Sequence, residues 1–395
     1  MRKYTYLIIG GGMTADAAIR GIRQVDSAEP VGLLSAENHL PYNRPPLSKG
    51  LWTGMDEEKI WRHTDSQDAD IHLETVADSI NPVEKIVTDS SGNQYGYEKL
   101  LLATGGSPIQ LPDSPDGVIY FRDLDDYQTL RKLTEQKDAF TVIGGGFIGS
   151  EIAAALHMQD KDVTIIFPED GIGDRIFPEE LSNHLNEYYA EKGVRVRTGE
   201  LADSIQKKDE EYVIQTDSGD TLTTDVVVAG LGIRPNTGLA ESAGLDINDG
   251  ILVDKNCRTS HPDIFAAGDV ARFFNSALEE QIRVEHEENA NIQGMIAGVN
   301  MAGADREYDY LPFFYSDLFD YGYEAVGRTS SELDIVTDWD EKFDSGVFYY
   351  LDENRVKGIL LWNTWGQIEH ARELIGFHSP IAAEDLMGRL PKEGK

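Results

Sequence analysis

Two glycine-rich turns set the strongest limit on how this 395-residue chain can fold. The first follows the apolar run YTYLII at residues 4–9. Gly10, Gly12 and Ala15 stand there in the pattern G-x-G-x-x-A, ahead of an alanine-rich helical stretch. The second follows AFTVI at residues 139–143, where Gly144, Gly146 and Gly149 complete G-x-G-x-x-G. Each reads as strand, tight turn, helix. The first small residue permits the turn, the second lets backbone approach a pyrophosphate, and the third lets helix and strand pack closely. Unpaired N–H groups at the helix start then face the phosphates. A second apolar strand and an acid follow each turn: VGLLS with Glu37, and DVTIIF with Glu169. A carboxylate there suits a ribose diol and repels a 2′-phosphate, which favours NADH over NADPH. No arginine follows Glu169 directly, although Arg175 is close in sequence. One such fingerprint is weak evidence. Two, each in strand–turn–helix context, predict an α/β chain with two Rossmann-like dinucleotide-binding domains.

The length exceeds one ordinary core and predicts two or three domains. Seventy acidic residues against 35 basic give a net charge of −35. Nucleic acid and anionic membrane are therefore disfavoured as broad partners, since both demand a basic footprint. The acidic excess is spread along the chain and reads as a strongly solvated surface, of a kind suited to a salt-rich cytoplasm. No apolar run approaches the roughly 20 residues of a membrane span. The opening MRKYTYLIIGGG reads as a first strand rather than a signal peptide. Cys257 is the only cysteine, so no internal disulfide and no cysteine-based metal site is expected. This usage fits an intracellular, cytoplasmic protein.

The stretch LPYNRPPLSKG, residues 40–50, raises a separate question. Pro41, Pro45 and Pro46 each remove a backbone donor and restrict the preceding residue, so no long helix forms here. The segment is either a linker or a device that fixes Arg44 and Lys49.

Three further segments complete a pattern. They are LLATGGSPIQLP with Ala103, Thr104, Gly105 and Gly106, VVVAGLGIRPNT with Gly230 and Gly232, and DIFAAGDVA with Gly268 and Asp269. With the two fingerprints they resemble the two-dinucleotide-binding flavoprotein family related to glutathione reductase. Within it, LPYNRPPLSKGLW, FPEDGIGDRIFPEELSN, RVEHEENA, FFYSDLFDYGYEAVG and GILLWN resemble the apoptosis-inducing-factor group. Oxygenase-coupled ferredoxin reductases share the Arg-Pro-Pro-Leu-Ser-Lys element and are the nearest competitors. The chain departs from the group in having Tyr315 where tryptophan is frequent.

The resemblance implies that the first fingerprint binds FAD and the second the nicotinamide nucleotide. It places Asp269 at the ribityl chain and Arg44 at the FAD. It also places Lys49 beside flavin N5, paired with Glu151 on the first turn of the second fingerprint helix. Phe147 would stack on the nicotinamide, and Glu285 and His286 would line the rings from the other side. Tyr315 and Trp362 are read equally as site walls or core aromatics. The expected layout is a glutathione reductase-like FAD domain over residues 1–115 and 245–305, with an NAD domain over 116–244. A C-terminal α+β domain over 306–395 follows, where strand-like alternation gives way to helical IEHARELIG and IAAEDLMGRL.

Relatives that reduce disulfides place cysteines in the region that here reads YNRPPLSKGLW. With none present, electrons from the flavin must reach an external acceptor: a quinone, an iron–sulfur protein, a heme protein, oxygen or a small oxidant. The expected activity is NADH-dependent flavoprotein oxidoreduction. The alternatives are a reductase for ferredoxin or rubredoxin, and an NADH-gated module whose redox state sets a homodimer interface.

Overall fold

Parallel pairing decides the layout of both nucleotide-type sheets in the computed structural model, which describes residues 1–390. The chain gathers into two compact units. One holds Met1–Arg44, Asp56–Ser107 and Arg234–Pro312; the other holds Pro45–Met55, Pro108–Ile233 and the chain from Phe313.

In the first unit the strand Arg2–Ile9 lies between Val31–Leu34 and Gln94–Leu102, parallel to both. Ile264–Ala266 adds to Gln94–Leu102 in the same sense, and Asp70–His72 extends the other edge. The registers Ile9↔Leu34, Ile9↔Leu102 and Ala266↔Leu102 bring four strand ends to one edge of the sheet. Glycines 10–12, Glu37, Ala103–Thr104 and Gly268–Asp269 all follow those ends. This convergence at the carboxyl edge is what makes such sheets ligand-binding. Leu7, Ile8, Leu33, Leu100 and Leu102 are fully buried within it. Each contributes roughly 1.5–3 kcal/mol, and burial on both faces explains why the strands read as unbroken apolar runs.

The fingerprint helix Met13–Val25 packs on the helix Glu287–Met301 through glycines. A Cβ on Gly294 would lie 2.5 Å from the Thr14 carbonyl oxygen, and one on Gly298 2.1 Å from that of Ala18. Only hydrogen fits there, so the two helices approach backbone to backbone.

The second unit repeats the grammar. Ala139–Ile143 pairs in parallel with Asp162–Ile166 and Val226–Ala229, in the registers Ile143↔Ile166 and Ile143↔Ala229. A three-stranded antiparallel sheet, Ala202–Lys208, Glu211–Thr216 and Thr221–Thr224, covers Ile143, Ile166 and Val227 with Ile205, Tyr212 and Ile214. From Phe313 the chain forms a five-stranded antiparallel sheet. Its order is Phe313–Leu318, Tyr321–Gly327, Arg355–Trp362, Ser345–Asp352, Asp334–Glu341. Glu353 and Asn354, both at positive φ, make the tight turn between two of these strands.

Two local expectations need correction, and one left open is decided. The segment IAAEDLMGRL gives a helix only over Ala383–Leu386, because Gly388 turns left-handed and donates its N–H to Asp338 at 2.7 Å. Glu151 is not a first-turn residue. The helix Phe147–His157 starts at Phe147, has no acid in its first turn, and carries Glu151 one turn further in. The helix-end dipole, which fades within a turn, therefore does not account for that carboxylate. Trp362, read equally as wall or core, is fully buried, stacked on Tyr323 and edge-on to Phe177.

Candidate functional site

Each glycine fingerprint forms a cradle whose sterics can be read atom by atom. Gly10 sits at φ 115°, and a Cβ there would lie 2.1 Å from the Ala103 carbonyl oxygen. A Cβ on Gly12 would meet nothing within 4 Å, and Ala15 is fully buried under the helix. The second turn copies this. Gly144 has φ 112° and would place a Cβ 2.5 Å from the Gly230 carbonyl oxygen. Gly146 opens onto free space, and a Cβ on Gly149 would strike the Gly144 carbonyl oxygen at 1.9 Å. In both turns the middle position leaves room for a ligand's phosphates, and the outer two cannot spare their compactness. The residues fit two dinucleotides, one per unit.

In the first unit, Glu37 beyond the second strand accepts from Tyr42 Oη at 2.7 Å and from the Arg44 guanidinium. Burial works against the charge on Arg44, and Tyr42, Glu37 and Asp269 outweigh it. The stretch ahead of Arg44 is tied to the fingerprint helix by a buried node. Asp16, fully buried, accepts from Arg20 Nε at 2.9 Å, Arg62 Nε at 2.8 Å and Thr64 Oγ1 at 2.7 Å. Arg62 then reaches the side-chain oxygens of Asn43 and Asn291 at 2.7 and 2.8 Å. Burial would raise the Asp16 carboxyl, but its three donors hold it below the ordinary range.

Thr104 and Gly105 are stitched to the PNT segment. Asn236 donates from Nδ2 to the Thr104 carbonyl at 2.8 Å and from its backbone to Gly105 at 2.9 Å. Gly268 donates its N–H to Gln293 Oε1 at 2.8 Å, while Gln293 Nε2 is buried with no partner among the described residues. Arg283 bonds the Asp269 carbonyl at 3.1 Å and Glu285 at 2.7 Å. His286 stands at the N-cap position of the helix Glu287–Met301 with no side-chain capping bond; burial holds its imidazole down to about 4, with Asp269 opposing.

In the second unit the proline-rich segment forms two single turns, Pro45–Leu47 and Gly50–Trp52, with Ser48 and Lys49 between them. Lys49 Nζ donates to Glu151 Oε1 at 2.6 Å, and Ser48 Oγ to Glu151 Oε2 at 2.5 Å. Ser316 also donates to Glu151 Oε1. The Glu151 side chain is 2% exposed and Lys49 15%, so this is a buried ion pair with its lone pairs satisfied. Lys49 lies 5.4 Å above the ring of Tyr315, which is 39% exposed. Phe147, the first helical residue after the second turn, is similarly exposed and meets Phe314 edge-on at 5.0 Å. Burial raises the Asp317 carboxyl, which Lys49 opposes and Glu151 reinforces.

Glu169 lies three residues beyond its strand and takes Arg175 Nε at 3.0 Å and Nη2 at 2.6 Å on a single oxygen. Gly173, two residues before that arginine, donates its N–H to the Gly145 carbonyl at 2.9 Å, so the Arg175 loop leans on the second glycine turn. Gly232, at φ 82°, follows the strand Val226–Ala229.

Sequence reasoning missed Ser48, Ser316, Asp317, Gln293 and Glu324. Glu324 is half-buried, its carboxyl raised by burial against a backbone hydrogen bond from Gly366, and its Oε2 has no partner among the described residues. Ser316 could have been found. Strand alternation sets it on one face with Phe314 and Leu318, where a hydroxyl needs a reason.

The family model for pyridine nucleotide-disulphide oxidoreductases matches residues 4–294, and that for the C-terminal part of mitochondrion-associated apoptosis-inducing factor matches residues 337–376. The chain is 34% identical over 419 residues to apoptosis-inducing factor 1, mitochondrial, of Dictyostelium discoideum, covering 95% of this chain and 79% of that one. It is 35% identical over 338 residues to the ferredoxin–NAD(+) reductase component of the Burkholderia cepacia anthranilate 1,2-dioxygenase system, covering 82% and 81%. The crystal structure of a ferredoxin reductase from Rhodopseudomonas palustris superposes with a TM-score of 0.88 at 28% identity, over 96% of both chains.

Proposed function

Because the chain belongs to the pyridine nucleotide-disulphide oxidoreductase family, as an FAD-dependent NAD(P)H oxidoreductase, we propose that it oxidises NADH and passes the electrons to an external acceptor without an internal disulfide. The observation that carries this is the Lys49–Glu151 pair in a segment free of thiols. The one cysteine, Cys257, is a buried free thiol in the other unit, with burial pushing it far from a reactive thiolate.

FAD, when bound, would supply the redox chemistry: acceptance of a hydride from reduced nicotinamide and onward release of electrons. The chain's residues bind, orient and shield. Gly10, Gly12, Ala15, Glu37, Arg44, Ala103, Thr104, Gly105, Gly268, Asp269, Glu285 and His286 would hold FAD. Gly144, Gly146, Phe147, Gly149, Glu169 and Gly232 would hold the nicotinamide nucleotide. Lys49, fixed by Glu151, supplies a cation that does not reorganise when charge develops nearby. Phe147 and Phe314, edge to face, would shield one side of the site from water, and Tyr315 would cover the Lys49 ammonium. We assign the FAD domain to residues 1–115 and 245–305, the NAD domain to 116–244 and the C-terminal domain to 306–395. A cytoplasmic setting suits the free thiol, and no helix among the described residues is long and apolar enough to cross a membrane.

Anaerobic mixing with NADH and with NADPH tests the reading. NADH should bleach the flavin about tenfold faster, because Glu169 takes Arg175 on one oxygen only and keeps the other for a ribose diol. Lys49→Ala should slow that bleaching by about a hundredfold, as expected for losing one preorganised electrostatic group. Equal rates in wild type and variant would sink the assignment of Lys49. An iron–sulfur protein is the second reading for the acceptor, favoured by the two ferredoxin reductases to which the chain is similar. Mixing the reduced protein with an iron–sulfur protein, a quinone and oxygen in parallel separates the acceptors. A shift in light scattering on adding NADH, with little turnover, would favour the redox-gated homodimer.

A further inference from the structure

The strand Phe313–Leu318 touches the Lys49–Glu151 pair with two consecutive residues. Tyr315 lies under the Lys49 ammonium, and Ser316 donates to Glu151 Oε1, the oxygen that also accepts from Lys49. Ser316 is 1% exposed and shares its strand face with Phe314 and Leu318. Its hydroxyl also lies within hydrogen-bonding reach of Tyr323, directly opposite it on the next strand. Tyr323 is wedged between Phe177 and Trp362. A hydroxyl on such a face is costly unless it is bonded, and here it completes the shell of a buried carboxylate. The Glu151 carboxylate thus has three side-chain donors from two places. Ser48 and Lys49 come from the proline-stiffened turn, and Ser316 from the C-terminal sheet. Without Ser316, Glu151 keeps only Ser48 on Oε2 and Lys49 on Oε1, both from the turn itself, so the carboxylate loses its one anchor on the C-terminal sheet and can shift together with the ammonium.

We propose that Ser316 is a positioning residue for flavin reduction: by fixing Glu151 it fixes Lys49, so the C-terminal sheet sets where the cation at the redox site stands. The inference rests on Lys49 acting in the reaction, as argued above, but its geometry can be tested without the cofactor. The full-length chain stripped of FAD is labelled sparingly with an amine-acetylating reagent, and the acetylation of Lys49 is followed by peptide mass spectrometry. Ser316→Ala should raise Lys49 acetylation severalfold, and Ser316→Thr, which restores a hydroxyl, should bring it back. In the FAD-loaded protein, Ser316→Ala should slow reduction at saturating NADH by about tenfold, as for loss of one hydrogen bond to a charged group, with the NADH dissociation constant unchanged. The midpoint potential of the flavin should shift with the rate. Unchanged Lys49 acetylation in Ser316→Ala overturns the proposal. So does an effect of equal size in Ser316→Thr, which would mark a packing role only. If wild-type flavin is not reduced by NADH, the functional reading fails, and the acetylation of Lys49 still decides the positioning.

Discussion

His286 and Asp16 bind protons in opposite senses. The His286 imidazole is held down to about 4 by burial, so it is neutral in the folded protein. The unfolded chain takes up a proton on this residue below about pH 6.5. Unfolding therefore gains protons as the pH falls, and stability drops between about pH 6.5 and 4. Urea unfolding measured across that interval should show this slope, and His286→Gln should flatten it. Asp16 is held low by Arg20, Thr64 and Arg62 against its burial, so its contribution is present above the ordinary carboxylate value and lost in stronger acid. Asp16→Asn strands Arg62 among its remaining partners and should cost about 3 kcal/mol, the range for breaking a buried pair. A denaturant midpoint unchanged by that substitution would show that the node does not hold the segment. Neither role was visible in sequence. Asp16 reads as a polar residue in a helix, because Arg62, Thr64 and Asn291 that give it meaning are distant along the chain.

At the scale of elements, the two fingerprints were legible because their cause is local. A turn at positive φ followed by close helix–strand contact tolerates few residue types, so the glycines declare it. The same logic separates two substitutions within one motif. Gly149→Ala drives a methyl against the Gly144 carbonyl oxygen and should lower stability by roughly 1–3 kcal/mol or more, with nucleotide binding lost alongside. Gly146→Ala meets no protein atom and should keep the fold, yet weaken NADH binding by about tenfold or more where the phosphates approach. Parallel measurement of melting temperature and NADH affinity distinguishes them. Less local features were harder to read. The position of Glu151 in its helix depended on where the turn released the chain, and the end of the last helix on Gly388. The proline-rich segment could be excluded as a helix, but Ser316, which completes its ion pair, comes from a strand more than 250 residues later.

For the molecule as a whole, a net charge of −35 adds self-repulsion to the compact state. Ion pairs such as Lys85 and Lys99 on Asp263 relieve it only in places. Salt screens what remains, with a Debye length falling from about 30 Å at 0.01 M to about 3 Å at 1 M. The melting temperature should therefore rise by several degrees between low and molar sodium chloride. A flat response would remove the link between this surface and a salt-rich setting. The alternation of the chain between its two units, which change over after Arg44, Met55, Ser107, Ile233 and Pro312, has a different outcome. Emerging from the ribosome, neither unit is finished when the other begins. The first waits for residues up to Pro312, and the second must keep Pro45–Met55 in hand until the final sheet arrives. A nascent chain stalled near its middle would expose two half-built sheets at once, with unpaired strand edges open to misassembly.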